Sequence, residues 1–554
     1  MTEYKTRFEG SKSLEQIPNS PTNLPTARGK WAALIAALLG WMFDGFEIGM
    51  FPLVGPNALD ELLASQLVAN PAAKTEWFGV IMAVFLIGAA TGGVLFGWLG
   101  DRIGRVRAMS LSILTYAVFT GLCAFATEPW HIAVLRFIGS LGMGGEWSLG
   151  VALVTEVWPD RSRAVLAGLI GAAANVGFLL VGLVSLVLVS FIQNLGEMLL
   201  RIGVPARSVE VLIRGDGWRL LMIAGAAPAL LVFFIRVMVP ESQKWKAAKQ
   251  GGQTAHWATR DLLGVFFGTL AALGMILVWS PAFRTLLVQL GINGDLLESP
   301  APFTAIRVLI TVAALVIALL GYMYPVVRYL GRAQEAGQLA PSERTQSIRR
   351  MLLGACLAGV PLLGTWGALQ WAPKWAIALS EQLPSEGGPY FAKEYTQIAS
   401  ACGAIVGAIA AAIIAGRYGR RVTYVFLCIG SFCSLVYMYQ ANDSFGTSLL
   451  MSVFVAGGMT AAFYGWFPLY LPELFPTSIR ATSQGFAYNF GRVLSAVGLL
   501  QTAVLTAYFA RGIESDQIEI QAFPKAGTTL AGIYLLGVFL IWLGPETKDQ
   551  PLPD

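Results

Sequence analysis

The chain has 554 residues, 55% hydrophobic and only 13% charged, with a mean hydropathy of +0.62 and a formal net charge of +5. A water-soluble protein of this length needs far more charge, so the composition excludes a soluble enzyme and implies a chain that crosses a bilayer many times. Residues 1–29 are polar and contain Pro, with no apolar run before Trp31. That pattern argues for a short cytoplasmic tail and against a cleaved signal peptide. Apolar stretches long enough to span, roughly 20 residues each, then follow near 31–54, 77–99, 108–127, 131–156, 163–191 and 218–239. Two more lie near 262–281 and 303–327, and six near 351–372, 396–416, 422–440, 446–471, 481–508 and 527–544. The spacing therefore predicts an all-α integral membrane protein with fourteen helices arranged 6+2+6. A short amphipathic helix is expected on the outer surface near 192–217. With the amino terminus inside, most Lys and Arg fall on the cytoplasmic side, which fits the positive-inside rule.

The two sets of six echo each other. Glu156-Val-Trp-Pro159-Asp-Arg-Ser-Arg163-Ala164, with Gly168 four residues on, returns as Glu473-Leu-Phe-Pro476-Thr-Ser-Ile-Arg480-Ala481, with Gly485 four on. Gly97-Trp-Leu-Gly-Asp101-Arg102-Ile-Gly104-Arg105 corresponds to Gly416-Arg417-Tyr-Gly419-Arg420-Arg421, and Pro240-Glu241-Ser242 to Pro545-Glu546-Thr547. A pattern this long at nearly constant offset reads as a duplication. The units are expected at 1–29 (tail), 30–240 (first half), 241–350 (cytoplasmic linker with the inserted helix pair), 351–545 (second half) and 546–554 (tail). The insertion has no echo and is expected at the edge of the bundle. The five Cys all sit in apolar segments without metal spacing and are expected to be buried packing residues.

Charges inside spanning helices are costly and mark pathways. In helix 1, Asp44 and Glu47 are three residues apart and share a face. At 1.5 Å per residue, Asp44 and Glu47 lie roughly 21–25 Å from the cytoplasmic end, and Arg136 of helix 4 comes to roughly the same depth. A carboxylate beside a fixed cation can alternate between ionised and protonated forms, which is a minimal proton-coupling device; the alternative is a permanent structural ion pair. Glu146, ten residues beyond Arg136, is either a second proton or substrate site or a hydrogen-bonding partner for a neighbouring helix. In the stretch 481–508, Tyr488, Asn489 and Arg492 lie about a turn apart at mid-depth. Arg492 either holds a carboxylate through its planar fork or partners a buried acid such as Glu146. Trp366, Gln370, Tyr464 and Trp466 are candidates to line the same cavity.

The loop Asp101-Arg102-Ile-Gly-Arg105 has glycines for a tight turn, an acid that can face a helix amino terminus and an Arg that can reach an acid such as Glu156. With Arg420 and Glu473 as its second copy, it reads as a latch on the cytoplasmic face that breaks as the halves rock apart. Gly416 stands where Asp101 stands in the first copy, so the second latch is the weaker.

These motifs resemble the major facilitator superfamily over essentially Trp31 to Lys548, the insertion excepted. Pro240-Glu241-Ser242 and Pro545-Glu546-Thr547-Lys548 are similar to the endings of its sugar porters. Phe43-Asp44-Gly45-Phe46-Glu47, Gly142-Met-Gly-Gly-Glu146-Trp147 and Arg480-Ala-Thr-Ser-Gln-Gly485-Phe-Ala-Tyr488-Asn489-Phe-Gly491-Arg492 resemble the sialate and metabolite–proton symporters more closely. The resemblance implies alternating-access symport of a small organic acid with protons. The chain is also similar to proton-coupled sugar porters when aligned by Gly45-Phe46-Glu47 and Arg136, and that likeness implies Glu47 as proton carrier and Arg136 as its partner. A neutral-sugar porter, a drug exporter of the same fold and a transporter-derived membrane sensor are the competing readings. No nucleophile–base set, metal-spaced cluster or nucleotide loop is present in the sequence, so an enzyme and a bound cofactor are not expected. The expected partners are a small-molecule substrate, protons and the lipid bilayer, without nucleic acid; the expected state is a monomer in the inner membrane.

Overall fold

The computed structural model describes residues 27–67, 73–158, 162–280, 282–291, 300–383, 391–514 and 517–553. All regular structure among them is helical. The first six membrane helices are α1 (Ala27–Leu62), α2 (Ala73–Ile103), α3 (Arg105–Leu122), α4 (Pro129–Val157), α5 (Arg163–Arg201) and a broken α6 (Ala206–Ala224, resuming at Ala229–Met238). The inserted pair is α7 (Leu262–Trp279) and α8 (Pro300–Glu335). The last six are α9 (Pro341–Gly367), α10 (Ala392–Tyr418), α11 (Arg420–Gln440), α12 (Thr447–Ala461, continued by Phe463–Tyr470), α13 (Arg480–Phe509) and α14 (Ile518–Ala531, continued by Ile533–Leu540). Twelve of these are long and apolar enough to cross a membrane by composition alone. The broken α6 and the 30-residue α13 complete the fourteen expected stretches.

Three expectations shift in detail. The stretch 218–239 is not one helix: i→i+3 bonds at Ala229, Leu230 and Leu231 replace the helical ladder around Pro228, which has no N–H and crowds the carbonyl four residues back. The segment near 192–217 is partly the continuation of α5 to Arg201; a short helix then starts at Ala206 and stops where Gly215, Asp216 and Gly217 turn to positive φ. The cysteines are not all buried: Cys123 and Cys428 are, but Cys356 and Cys433 are exposed and Cys402 is partly so. An apolar sequence context does not distinguish a bundle interior from a lipid-facing surface.

Two seams join the halves, α2 against α13 and α5 against α10, and the duplication exchanges one for the other. The repeated glycine explains why that echo exists. A methyl group on Gly168 would press on the Ile409 backbone of α10, and one on Gly485 would overlap the Gly93 carbonyl of α2. Small residues here let backbones approach closely. The inserted pair packs on α2 and α13, so it lies along a seam. There the Thr91, Thr269 and Tyr322 hydroxyls form a buried cluster with Thr91 2.9 Å from each of the other two.

The echo of Glu241 and Glu546 also has a physical cause. Each carboxylate caps the first turn of a helix: Glu241 accepts from the Arg105 and Val106 amides (2.9 and 3.2 Å) and Glu546 from those of Arg420 and Arg421 (3.0 and 3.1 Å). Burial pushes the Glu241 carboxyl above its ordinary range despite these donors. At Glu546 burial acts upward too, but the amides of Arg420, Arg421, Lys548 and Thr547 outweigh it and hold the carboxyl below its ordinary range. The chain reaches both caps through a glycine with φ of +113° (Gly104) or +101° (Gly419). With ψ near 154° and 161°, these backbones belong to a region only Gly occupies without strain, worth of order 1–3 kcal/mol. Gly104→Ala is therefore expected to destabilise by at least about that amount, since its methyl would also strike the Glu241 carboxylate. Thermal unfolding in detergent reads this; an unchanged Tm would refute it.

Candidate functional site

Both described chain ends meet on one face of the bundle, called here the terminal face. The Trp158 indole donates to the Lys30 carbonyl (3.0 Å), and Arg480 donates to that of Pro553. The duplicated loops converge on the same face and bind across the halves. Arg105 donates to Asp101 (2.6 Å) and to Glu156 (3.2 Å) in its own half, and Glu156 also accepts from Arg480 of the other half (3.0 Å). In mirror fashion Glu473 accepts from Arg420 of its own half (2.7 and 3.0 Å) and from Arg163 of the other (2.8 Å). Asp101 completes the closure by capping α13, accepting from the Thr482 amide (2.8 Å) and hydroxyl (2.6 Å). Asp101, Arg105 and Arg480 are fully buried. Arg102 stands apart from this network and donates to Thr259 of the linker (2.7 Å). Sequence reasoning left Arg163, Arg480 and Thr482 without a role, although the matched Arg163 and Arg480 of the repeat were the signal.

Within the membrane, the charges of α1 and α4 separate into two groups. Arg136 donates to Glu47 at 2.9 Å, with the Thr120 hydroxyl 3.3 Å from the same oxygen. The guanidinium is held between the rings of Phe51 and Phe85, 4.4 and 4.7 Å from their centroids. Asp44, a turn back along α1, makes no ion pair with Arg136 among the described contacts; it is buried on the side of α1 where Glu146 packs against Gly40. Glu146 fits there because Gly40 has no side chain; a methyl there would occupy the position of Glu146 Oε1. Of the two acids of helix 1, Glu47 is the one paired with Arg136.

Aromatic rings roof the inner group. Trp147 stacks on Tyr488 with centroids 3.9 Å apart, Trp41 lies against both, and Arg492 sits 5.6 Å above the Tyr488 ring. Arg492 Nη1 is buried without a hydrogen-bond partner. Tyr464 neighbours Tyr488, with centroids 6.5 Å apart, and also lines a cavity between the halves. That cavity holds about 110 Å³, with Asn175 and Phe178 on one side and Trp366, Gln370, Gln397 and Tyr464 on the other. It is smaller than the roughly 300–1,000 Å³ of a ligand pocket, so a metabolite needs the halves to part further. A groove of about 500 Å³ between α11 and α12 includes Cys433, Tyr437 and Met451 but no charged group.

Two expected lining residues are placed elsewhere. Trp466 is fully buried inside the second half, its indole donating to the Arg420 carbonyl (2.9 Å). Asn489 donates to the Gly144 carbonyl of α4 (3.1 Å) and joins the halves rather than lining the cavity. Both are helix-packing positions that mid-membrane depth alone cannot tell from a cavity wall.

Residues 32–380 match the model of the Major Facilitator Superfamily. Over 438 residues the chain is 25% identical to the cis,cis-muconate transport protein of Acinetobacter baylyi, covering 76% of each. Over 213 residues it is 30% identical to the sialic acid transporter NanX of Escherichia coli, covering 38% of this chain and 44% of that one. Among solved structures, the proton:xylose symporter XylE of E. coli superposes with a TM-score of 0.62 at 17% identity, covering 95% of this chain and 98% of that one.

Proposed function

The chain belongs to the Major Facilitator Superfamily and is a multi-pass membrane transporter, and from that premise we propose that it carries a small organic acid, such as sialate or another carboxylate, together with protons. The units 30–240 and 351–545 rock about the central cavity, as a monomer in the inner membrane with the terminal face in the cytoplasm. The observation that carries the choice of substrate is Arg492. A guanidinium in a membrane interior costs at least about 2.5–3.5 kcal/mol on insertion scales, yet its Nη1 has no partner among the described residues and it stands over Tyr488, whose ring neighbours Tyr464 of the cavity wall. An anionic substrate supplies the missing partner. The relative that transports cis,cis-muconate, a carboxylate, supports the same class. The Glu47–Arg136 couple supports proton coupling, being a titratable acid held against a fixed cation inside the membrane.

Uptake of labelled N-acetylneuraminate, benzoate, cis,cis-muconate and xylose into proteoliposomes, with and without a pH gradient, tests the reading. Carboxylates are expected to accumulate only with the gradient, and xylose not at all. Arg492→Lys keeps the charge but loses the planar fork, so carboxylate binding should weaken by about 1 kcal/mol or more, on the order of a charge-assisted hydrogen bond. If xylose instead binds tightly and Arg492→Lys leaves that binding untouched, Arg492 is structural and the sugar-porter reading takes over.

A further inference from the structure

We propose that Lys393 is the outer docking site of the transported acid: its ammonium closes the far end of the cavity on the Pro52 carbonyl and exchanges that carbonyl for the incoming carboxylate, which then passes inward to Arg492. The inference rests on the proposed transport of carboxylates and adds a selective step ahead of Arg492.

The helix α10 runs from Ala392 to Tyr418, beside the latch residue Arg420, so Lys393 stands at the end of the bundle remote from the terminal face. Its half-buried side chain crosses from the second half to the first and donates to the Pro52 carbonyl of α1 (3.3 Å). That carbonyl is available because Pro56, one turn on in the same helix, has no N–H to give it. Pro52 is part of the cavity wall, and α10 contributes Thr396, Gln397, Ser400, Ala401 and Ala404 to the same wall. Lys393 heads that stripe at the i, i+3, i+4 spacing of one helix face.

The charge is poorly placed for a purely structural purpose. It lies in the first turn of α10, where the helix dipole is already positive, and on the side where the positive-inside rule puts few basic residues. Among the described residues its ammonium donates to no carboxylate. The adjacent acid, Glu394, points round the helix and accepts from the Ser185 hydroxyl of α5 (2.8 Å). Lys374, beside Pro373 of the cavity wall, is paired with Glu519 (2.7 Å). A contact of 3.3 Å is long for an N–H···O bond, and a carboxylate, being charged, is a stronger acceptor than a carbonyl. An arriving anion therefore displaces Pro52. A turn further in, Gln397 donates to the Phe178 carbonyl (3.4 Å), a second long bond between the halves. The stripe down to Ala404 rises roughly 16 Å, toward Tyr464 and the Tyr488 ring under Arg492. A small acid meets the two cations in turn, whereas a neutral sugar gains nothing at the first.

Initial rates of N-acetylneuraminate, benzoate and cis,cis-muconate uptake test this in cells producing the protein, where only the outer face meets the medium. Lys393→Gln should raise KM about tenfold or more, the loss of a hydrogen bond to charge, with little change in the rate at saturation. Lys393→Arg, which keeps the charge, should stay near the wild type. Lys393→Cys should begin with the high KM and regain the low one once 2-aminoethyl methanethiosulfonate rebuilds an ammonium there. The 2-sulfonatoethyl reagent, which adds an anion, should not restore it. Both treatments are read against the wild type treated alike, and the same folded molecules are measured before and after, so a folding defect does not mimic the recovery. An unchanged KM in Lys393→Gln overturns the proposal, as does equal recovery with the two reagents. If the wild type takes up none of the three acids, the transport reading itself fails and the docking site falls with it.

Discussion

Glu47→Gln is expected to abolish accumulation driven by a pH gradient while leaving exchange of substrate across the membrane. One pH unit is worth about 1.4 kcal/mol per proton, or roughly tenfold accumulation. The variant should lose this accumulation, because the amide has no proton to exchange. The exchange arm should survive because the amide mimics the protonated acid, the form in which Arg136 is released. Folding should also survive, since the Arg136 guanidinium keeps its places over Phe51 and Phe85. Counterflow and net uptake in the same proteoliposomes separate the outcomes. Normal accumulation by Glu47→Gln would remove Glu47 from the coupling path and leave the pair with Arg136 as a structural bridge.

Glu156→Gln is expected to open the terminal face. Among the described residues, Glu156 is the acid that pairs both with Arg105 of one half and with Arg480 of the other. Both arginines are fully buried in this conformation, and removing one partner of a buried ion pair typically costs about 3–5 kcal/mol. Part of that cost is relieved when the halves separate and water reaches the arginines. The closed arrangement is thus destabilised more than the open one. A bias of about 1.5–3 kcal/mol, that of a hydrogen bond to charge, would shift the population roughly 10- to 100-fold. Spin labels at Arg107 and Arg417, which are exposed near this face in the two halves, should report a longer distance in the variant. Carboxylate affinity should stay within a few-fold, because Glu156 lies far along α4 from the cavity. Glu473→Gln should behave alike, since Glu473 joins Arg420 to Arg163 in the same way. An affinity collapse with an unchanged distance distribution would count against a gating role.

The small cavity and the closed terminal face belong together. The face is latched by Asp101, Glu156 and Glu473, and the space between the halves lies beyond the Tyr464–Tyr488 contact. On the proposed rocking of the two halves, transport requires the latch to break and the seams α2–α13 and α5–α10 to tilt. The inserted helices lie on one of those seams, bonded to α2 through Thr91 and touching α13 through Tyr322 and Phe490, with centroids 6.3 Å apart. They must follow α2 or slide over α13 in each cycle.

The sequence by itself determined the class of the protein, the fourteen apolar stretches and the duplication. It put Asp44, Glu47 and Arg136 at one depth and gave Arg105 an acid such as Glu156 to reach, while the choice of Glu47 for Arg136 came from the family resemblance. These are legible because span length follows from bilayer thickness, and because a charge in an apolar helix must find a partner at its own depth. Only the tertiary structure decided that Asp44 is buried on the Glu146 side of α1 instead of pairing with Arg136, that Trp466 and Asn489 pack rather than line the cavity, and that Glu241 and Glu546 cap helices through Gly104 and Gly419. Depth along a helix can be counted from the chain, but the direction a side chain faces depends on which neighbour leaves room for it. At Gly40, Gly104 and Gly419 that room is the absence of a side chain, and its occupant comes from a segment more than a hundred residues away.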